Sequence, residues 1–241
     1  MDKLNLGQHI SQQYNAELEE VRSNVLQMGG VVEEQLRFAT LALVNGDSEL
    51  AAHVVQNDVR VNSFEVEIDE ECTRILALRQ PAASDLRLVM AVIKTITDLE
   101  RIGDEAKRVA KMVVEDSSGS MRSEVRQEIE HMATLVRQQL RMVLDAFART
   151  DVETAVEVVK ADAKVDNKYQ SITRHLMTYM AEDAKNIPDI LKILWAARAM
   201  ERMGDRCENI AEYVFYLVHG RDIRHTSLDE VMEQLSTVKS S

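Results

Sequence analysis

Apolar residues recur along this chain with a helical beat, and the beat repeats. Val54, Val61, Ile68 and Ile75 are spaced by seven, and the positions 104 further on hold Val158, Val165, Ile172 and Tyr179. Sustained heptads predict long helices packed side by side. A second stripe, Leu88, Val92, Thr95, Leu99, Ile102, Ala106, Val109 and Val113, alternates steps of four and three. Ile193, Ala196, Met200, Met203, Cys207, Ile210 and Val214 do the same at an offset of 101. Gln35-Leu36-Arg37 and Gln139-Leu140-Arg141 match at 104, so the connection before the third helix differs between the copies by three residues.

Punctuation between the stripes is sparse. Asn45-Gly46-Asp47-Ser48 reads as a turn followed by a helix N-cap, and Thr150-Asp151 stands at the equivalent place. Pro81 and Pro188 each precede a third helix, where proline is tolerated near a start. Ser117-Ser118-Gly119-Ser120 is a small-residue linker between the halves. The predicted helices run over 8–45, 48–78 and 83–115, then 122–149, 152–183 and 188–219. The expected fold is all-α, a tandem repeat of two three-helix bundles at 1–117 and 121–220. A C-terminal tail follows over 221–241, with a helix-cap signal in Thr226-Ser227-Leu228-Asp229-Glu230.

Composition agrees with helices. Hydrophobic residues make up 45% of the 241, aromatics 4%, and there are two prolines, which argues against an all-β protein. A net charge of −12 with no basic run argues against binding nucleic acid. No stretch approaches eighteen uncharged apolar residues and the N-terminus lacks a signal-peptide core, so the expectation is a soluble cytoplasmic protein without membrane insertion. Cys72 and Cys207 have no metal-ligand spacing and read as small buried hydrophobes. The twelve methionines fall mostly on or beside apolar stripes, as core filling.

The chemistry sits in a doubled pentapeptide. Glu100-Arg101-Ile102-Gly103-Asp104 recurs as Glu201-Arg202-Met203-Gly204-Asp205. Glutamate and aspartate four apart share one helix face, and their repulsion destabilises the helix slightly. A divalent or trivalent cation is the natural partner for such paired oxygens. Glu100, Asp104, Glu201 and Asp205 lie off the apolar seam, which predicts a metal near the bundle surface rather than in its interior. Asp58 and Asp162, matched at 104, are the candidates to complete the ligand set. Asp166 and the pair Glu65/Asp69 are secondary, since their counterparts Asn62, Tyr169 and Thr173 are not acids.

An ordinary solvated acidic face is the competing reading, and recurrence at equivalent places weighs against it. Gly103 and Gly204 lie mid-helix, where glycine costs about 1 kcal/mol relative to alanine; close approach of a neighbour is the expected compensation. Arg101 and Arg202 are expected in salt bridges. Glu128-x-x-His131 has di-iron carboxylate spacing but no counterpart in the first half. There is no glycine-rich phosphate loop, nucleophile elbow or dinucleotide fingerprint. A non-enzyme is therefore expected, the alternative being a metal-dependent, carboxylate-bridged helical-bundle enzyme.

Beyond the motif, the chain resembles the PhoU family of phosphate-transport and phosphate-regulon accessory proteins. The likeness is carried by Leu4-Asn5-Leu6-Gly7-Gln8-His9-Ile10-Ser11, by Tyr14-Asn15-Ala16-Glu17-Leu18-Glu19, by the segment Arg79 to Met90, by Leu176-Met177-Thr178-Tyr179-Met180 and by both Glu-Arg-x-Gly-Asp segments. The resemblance implies repeated three-helix bundles, a homodimer, and metal ions bound at the acidic motifs of some members. It also implies a negative regulator of phosphate-starvation signalling that contacts the phosphate ABC transporter ATPase and a membrane-bound sensor histidine kinase. Such a protein is cytoplasmic and peripheral to the inner membrane through its partners.

Overall fold

Each helix boundary follows from a local preference. The Asp47 carboxylate accepts a hydrogen bond from the Leu50 backbone N–H at 2.9 Å, and Asp151 accepts from Glu153 at 3.0 Å and Thr154 at 3.2 Å. These caps satisfy amides that a helix start leaves without a partner. Before each cap one residue adopts left-handed backbone: Gly46 at φ 65° and, 104 positions on, Thr150 at φ 52°. Glycine takes that conformation freely, whereas threonine is held there by its surroundings.

The computed structural model describes residues 12–115 and 121–223. The described residues form six α-helices: α1 (Gln12–Asn45), α2 (Ser48–Arg79), α3 (Ala83–Glu115), α4 (Ser123–Arg149), α5 (Val152–Glu182) and α6 (Ile187–His219). They match the sequence expectation within one residue at the described ends. Residues 8–11, the linker at 117–120 and the 224–241 part of the tail lie outside the described residues. The three-residue difference between the copies has a structural counterpart. Positions equivalent to the first turn of α3 form a 3₁₀ turn, Ala184–Asn186, before α6 begins with Pro188 in its first turn.

The heptad residues of α2 and α5 are buried, with Tyr179 half-buried, and so is the α3 seam from Leu88 to Val113 and the α6 seam from Ala196 to Val214. Within each half the three helices pack on one another, and α3 also packs along α6, and α1 along α4, so one apolar core runs through both halves. Cys72 and Cys207 are buried free thiols, and burial pushes both thiol pKa values up, that of Cys72 to about 12. Among the described residues no helix is long and apolar enough to cross a membrane.

Polar contacts rim the seam between halves. The Arg22 guanidinium donates to the Ala148 carbonyl at 2.6 Å, and Arg87 to the Leu217 carbonyl at 3.2 Å. Glu33 of α1 pairs with Arg137 at 3.3 Å and Arg141 at 2.5 Å on α4. Arg202 of α6 reaches Glu105 of α3 at 3.1 Å. Asp98 of α3 accepts from the Tyr213 hydroxyl at 2.8 Å and lies 3.5 Å from Arg206.

A core shared by both halves has a thermodynamic consequence. Ile68→Ala and Ile172→Ala should each lower the unfolding free energy by about 2–5 kcal/mol through the cavity they leave. Urea unfolding followed by circular dichroism should give a single transition that moves with either variant. Two separate transitions, each sensitive to one variant only, would mean that the halves unfold independently.

Candidate metal centre

In the second half the acids converge from two helices. Asp162 and Asp166 are one turn apart on α5; Glu201, Asp205 and Glu208 are successive turns of α6. One ligand oxygen from each of Asp162, Asp166 and Asp205 lies within 4.8 Å of the other two, the one such group of three among the described residues. Asp162 is buried, and Gln139 of α4 donates to its Oδ1 at 3.1 Å. Glycine at 204 makes room for that pair: a methyl group there would stand 3.0 Å from Asp162 Oδ1 and 3.2 Å from Gln139 Oε1.

Two buried oxygens of this cluster have no hydrogen-bond partner, Gln139 Oε1 and Glu201 Oε2; the other Glu201 oxygen accepts from Arg198. Leaving buried acceptors unpaired costs about 1–3 kcal/mol each. The charges also repel. Burial, followed by the negative charges of Asp162 and Glu212, pushes Glu208 up to about 7. Burial and then Asp205 push Glu201 up to about 6. Asp162 and Asp205 are raised as well, chiefly by burial.

The first half has the same frame with different charges. Gln35 of α1 donates to Asp58 Oδ1 at 3.0 Å, repeating the Gln139 contact. A methyl at Gly103 would stand 3.1 Å from Gln35 Oε1 and 3.3 Å from Val61 Cγ1. Here, however, Lys107 donates to Asp58 Oδ2 at 2.5 Å and lies 3.5 Å from Asp104 Oδ1. The hydrogen bond to Asp58 raises the Lys107 pKa. Glu100 is pushed up to about 7 by burial, then by Asp104 and Glu65. Glu65 is itself raised by burial, then by Asp69 and Asp104.

The structure thus gathers Asp58, Glu100 and Asp104 in one half, and Asp162, Glu201 and Asp205 in the other. The expected outward placement needs correction. Of the motif acids Asp104 is exposed and Glu100 and Asp205 are half-buried, but Glu201 is buried; the candidates to complete the ligand set, Asp58 and Asp162, are buried as well. A carboxylate one step off the seam still lies under the flank of the neighbouring helix, and Glu201 faces Asp162 and Asp166 there. Asp166, a secondary candidate, belongs to the closest triad. The motif arginines pair as expected, Arg101 with Asp98 at 3.8 Å and Arg202 with Glu105. Both glycines meet close neighbours, also as expected. Glu128 pairs with Lys168 at 3.4 Å and His175 at 3.1 Å, so it belongs to a separate surface contact.

Four participants escaped the sequence reading: Gln35, Gln139, Lys107 and Glu208. The repeat carried a residue-type signal for the two glutamines and only a positional one for Lys107 and Glu208. Gln35 and Gln139 match at 104, and Lys107 and Glu208 at 101, the offsets that define the repeat.

Comparison with known proteins agrees with the repeat. The PhoU domain family matches residues 25–113 and again 129–214. The chain is 50% identical over 236 residues to the phosphate-specific transport system accessory protein PhoU of Escherichia coli K12, covering 98% of each chain. It is 48% identical over 237 residues to the homologous Pseudomonas aeruginosa protein, covering 98% of this chain and 97% of that one. The crystal structure of PhoU from Pseudomonas aeruginosa superposes with a TM-score of 0.83 at 48% identity, covering 87% of this chain and all of that one. The Streptococcus pneumoniae phosphate transport system regulatory protein PhoU gives 0.81 at 30% identity, over 87% of this chain and 99% of that one.

The two glutamines offer a direct test of the frame. In chelator-treated protein, Gln139→Ala should lower stability by about 1–3 kcal/mol, because buried Asp162 loses its donor. Gln35→Ala should cost less, since Asp58 keeps Lys107. Urea midpoints of the two variants at equal slope measure the difference.

Proposed function

This chain belongs to the PhoU family, and from that premise we propose that it is a negative regulator of the phosphate-starvation response. In this reading it is a helical adaptor that couples the phosphate ABC transporter ATPase to a sensor histidine kinase and modulates phosphate uptake. It acts in the cytoplasm as a homodimer, peripheral to the membrane through its partners. The observation that carries the reading is likeness over nearly the whole chain to accessory proteins of phosphate-specific transport, at about half identity. Long helices offer extended faces, and a kinase with helical dimerisation segments presents a matching surface for helix-to-helix docking.

We further propose that the doubled acidic motif gives this adaptor a metal site, best formed in the second half. The second-half cluster fits one: its triad of oxygens is close enough to share an ion, and Glu201 Oε2 and Gln139 Oε1 are buried acceptors without a donor. Asp162, Asp166, Glu201 and Asp205 would hold it, with Gln139 orienting Asp162 from behind. Bound there, a hard cation supplies positive charge to a groove otherwise lined by repelling carboxylates. Gln139 and Gly204 do the positioning, one by its hydrogen bond and the other by the space it leaves.

Two measurements test this. Asp104→Ala combined with Asp205→Ala should derepress a phosphate-starvation reporter in cells grown with ample phosphate. Unchanged repression at normal protein levels would overturn the role of the acidic faces. Separately, an ion present at a hundred times its Kd adds about 2.7 kcal/mol of stability. Removing metal with a chelator should therefore lower the melting temperature of the wild type and leave that of the double variant unmoved.

A further inference from the structure

We infer that the two acidic clusters have become chemically unlike: Lys107 is the resident cation of the first, which therefore excludes a metal ion, and the second is the ion-binding one. The inference rests on the reading that the second-half cluster binds metal. Its basis is a pair of equivalent positions. Lys107 and Glu208 are separated by 101 residues, the offset that superimposes α3 on α6. One carries an ammonium where the other carries a carboxylate.

The position of the ammonium decides the matter. Lys107 Nζ sits 2.5 Å from Asp58 Oδ2 and 3.5 Å from Asp104 Oδ1. The counterparts of those two aspartates are Asp162 and Asp205, two of the three acids of the close triad. The third member, Asp166, has Asn62 as its counterpart, so the first half lacks that ligand as well. A lysine therefore occupies the bridging place between the two carboxylates, tethered to α3 by its own chain. An incoming ion would have to displace it, and would then find two aspartates with Glu100 and Glu65 nearby, not the close triad of aspartates that the second half provides.

The second half has its own cation, but in a different place. Arg198 binds Glu201 on the oxygen opposite the orphaned one, and it leaves the Asp162–Asp166–Asp205 triad open. Arg198 has Thr97 as its counterpart in the first half. Arg202 and Arg206 act on Asp205 through their charge, but among the described residues each cluster has one basic side chain paired directly with its carboxylates. In the first it closes the centre, and in the second it borders the rim. Gln35 Oε1 and Gln139 Oε1 are unpartnered alike in the two halves, so the independent sign of a missing positive ligand in the second cluster is the buried, partnerless Glu201 Oε2, which has no counterpart among the Glu100 oxygens.

The test counts Mn²⁺, an oxygen-seeking ion visible by electron paramagnetic resonance, on the full chain stripped with chelator. Wild type should bind Mn²⁺, Asp205→Asn should lose it, and Asp104→Asn should retain the full count. Lys107→Glu, which gives the first half the second half's residue, should raise the count by a further site. Equal losses from Asp104→Asn and Asp205→Asn would overturn the asymmetry while leaving metal binding intact. So would an unchanged count in a folded Lys107→Glu. Absence of Mn²⁺ from every variant would overturn the metal reading and this inference together. Should Lys107→Glu fail to fold, Lys107→Gln serves in its place, and the two aspartate variants decide alone.

Discussion

Taking an aspartate out of water into a helix interface costs several kcal/mol unless its oxygens are met by donors or a cation. Asp58 and Asp162 impose that constraint once in each half, and the surrounding residues answer it. The answer begins on the first helix of each bundle, where Gln35 or Gln139 donates to the carboxylate. That contact needs the third helix to come close, and a glycine on its facing side admits it. Mid-helix glycines that are unfavourable by intrinsic propensity are thus explained by a polar contact rather than by apolar packing alone.

The Glu-Arg-x-Gly-Asp pentapeptide faces in two directions because successive helical residues must. Its acids turn toward the second helix of their own bundle, and its glycine lies against the first and second. In the second copy the arginine turns the other way, toward Glu105 of the opposite half, and Arg206 one turn on approaches Asp98. A segment of one turn therefore touches both the acidic groove and the seam joining the halves. The seam pairs are partly exposed, so they fix registration more than they add stability.

Periodicity made most of the architecture legible. Heptads in α2 and α5 and the four-three seams in α3 and α6 are read from any list of apolar positions, since burial on one face demands them. Helix starts at Asp47 and Asp151 were legible because capping is local chemistry. The acidic motif was legible because it occurs twice. Depth was not: a seam ranks residues around one helix, whereas Glu201 is buried by a neighbouring helix whose edge the seam leaves undefined. Lys107 was equally hidden, for a lysine one position after a seam alanine looks solvated until Asp58 is placed opposite it. The 3₁₀ turn at Ala184–Asn186 appeared in the sequence only as a three-residue slip in the repeat.

Joining two bundles in one polypeptide has a genetic consequence. Were the same body assembled from two identical single-bundle chains, one codon would set the residue at both equivalent positions, and symmetry would force the two grooves to match. Here separate codons specify Lys107 and Glu208. Either groove can drift, lose an ion or acquire a new occupant without dragging its twin along. Tandem duplication thus turns a symmetric pair into two independently heritable traits on one scaffold.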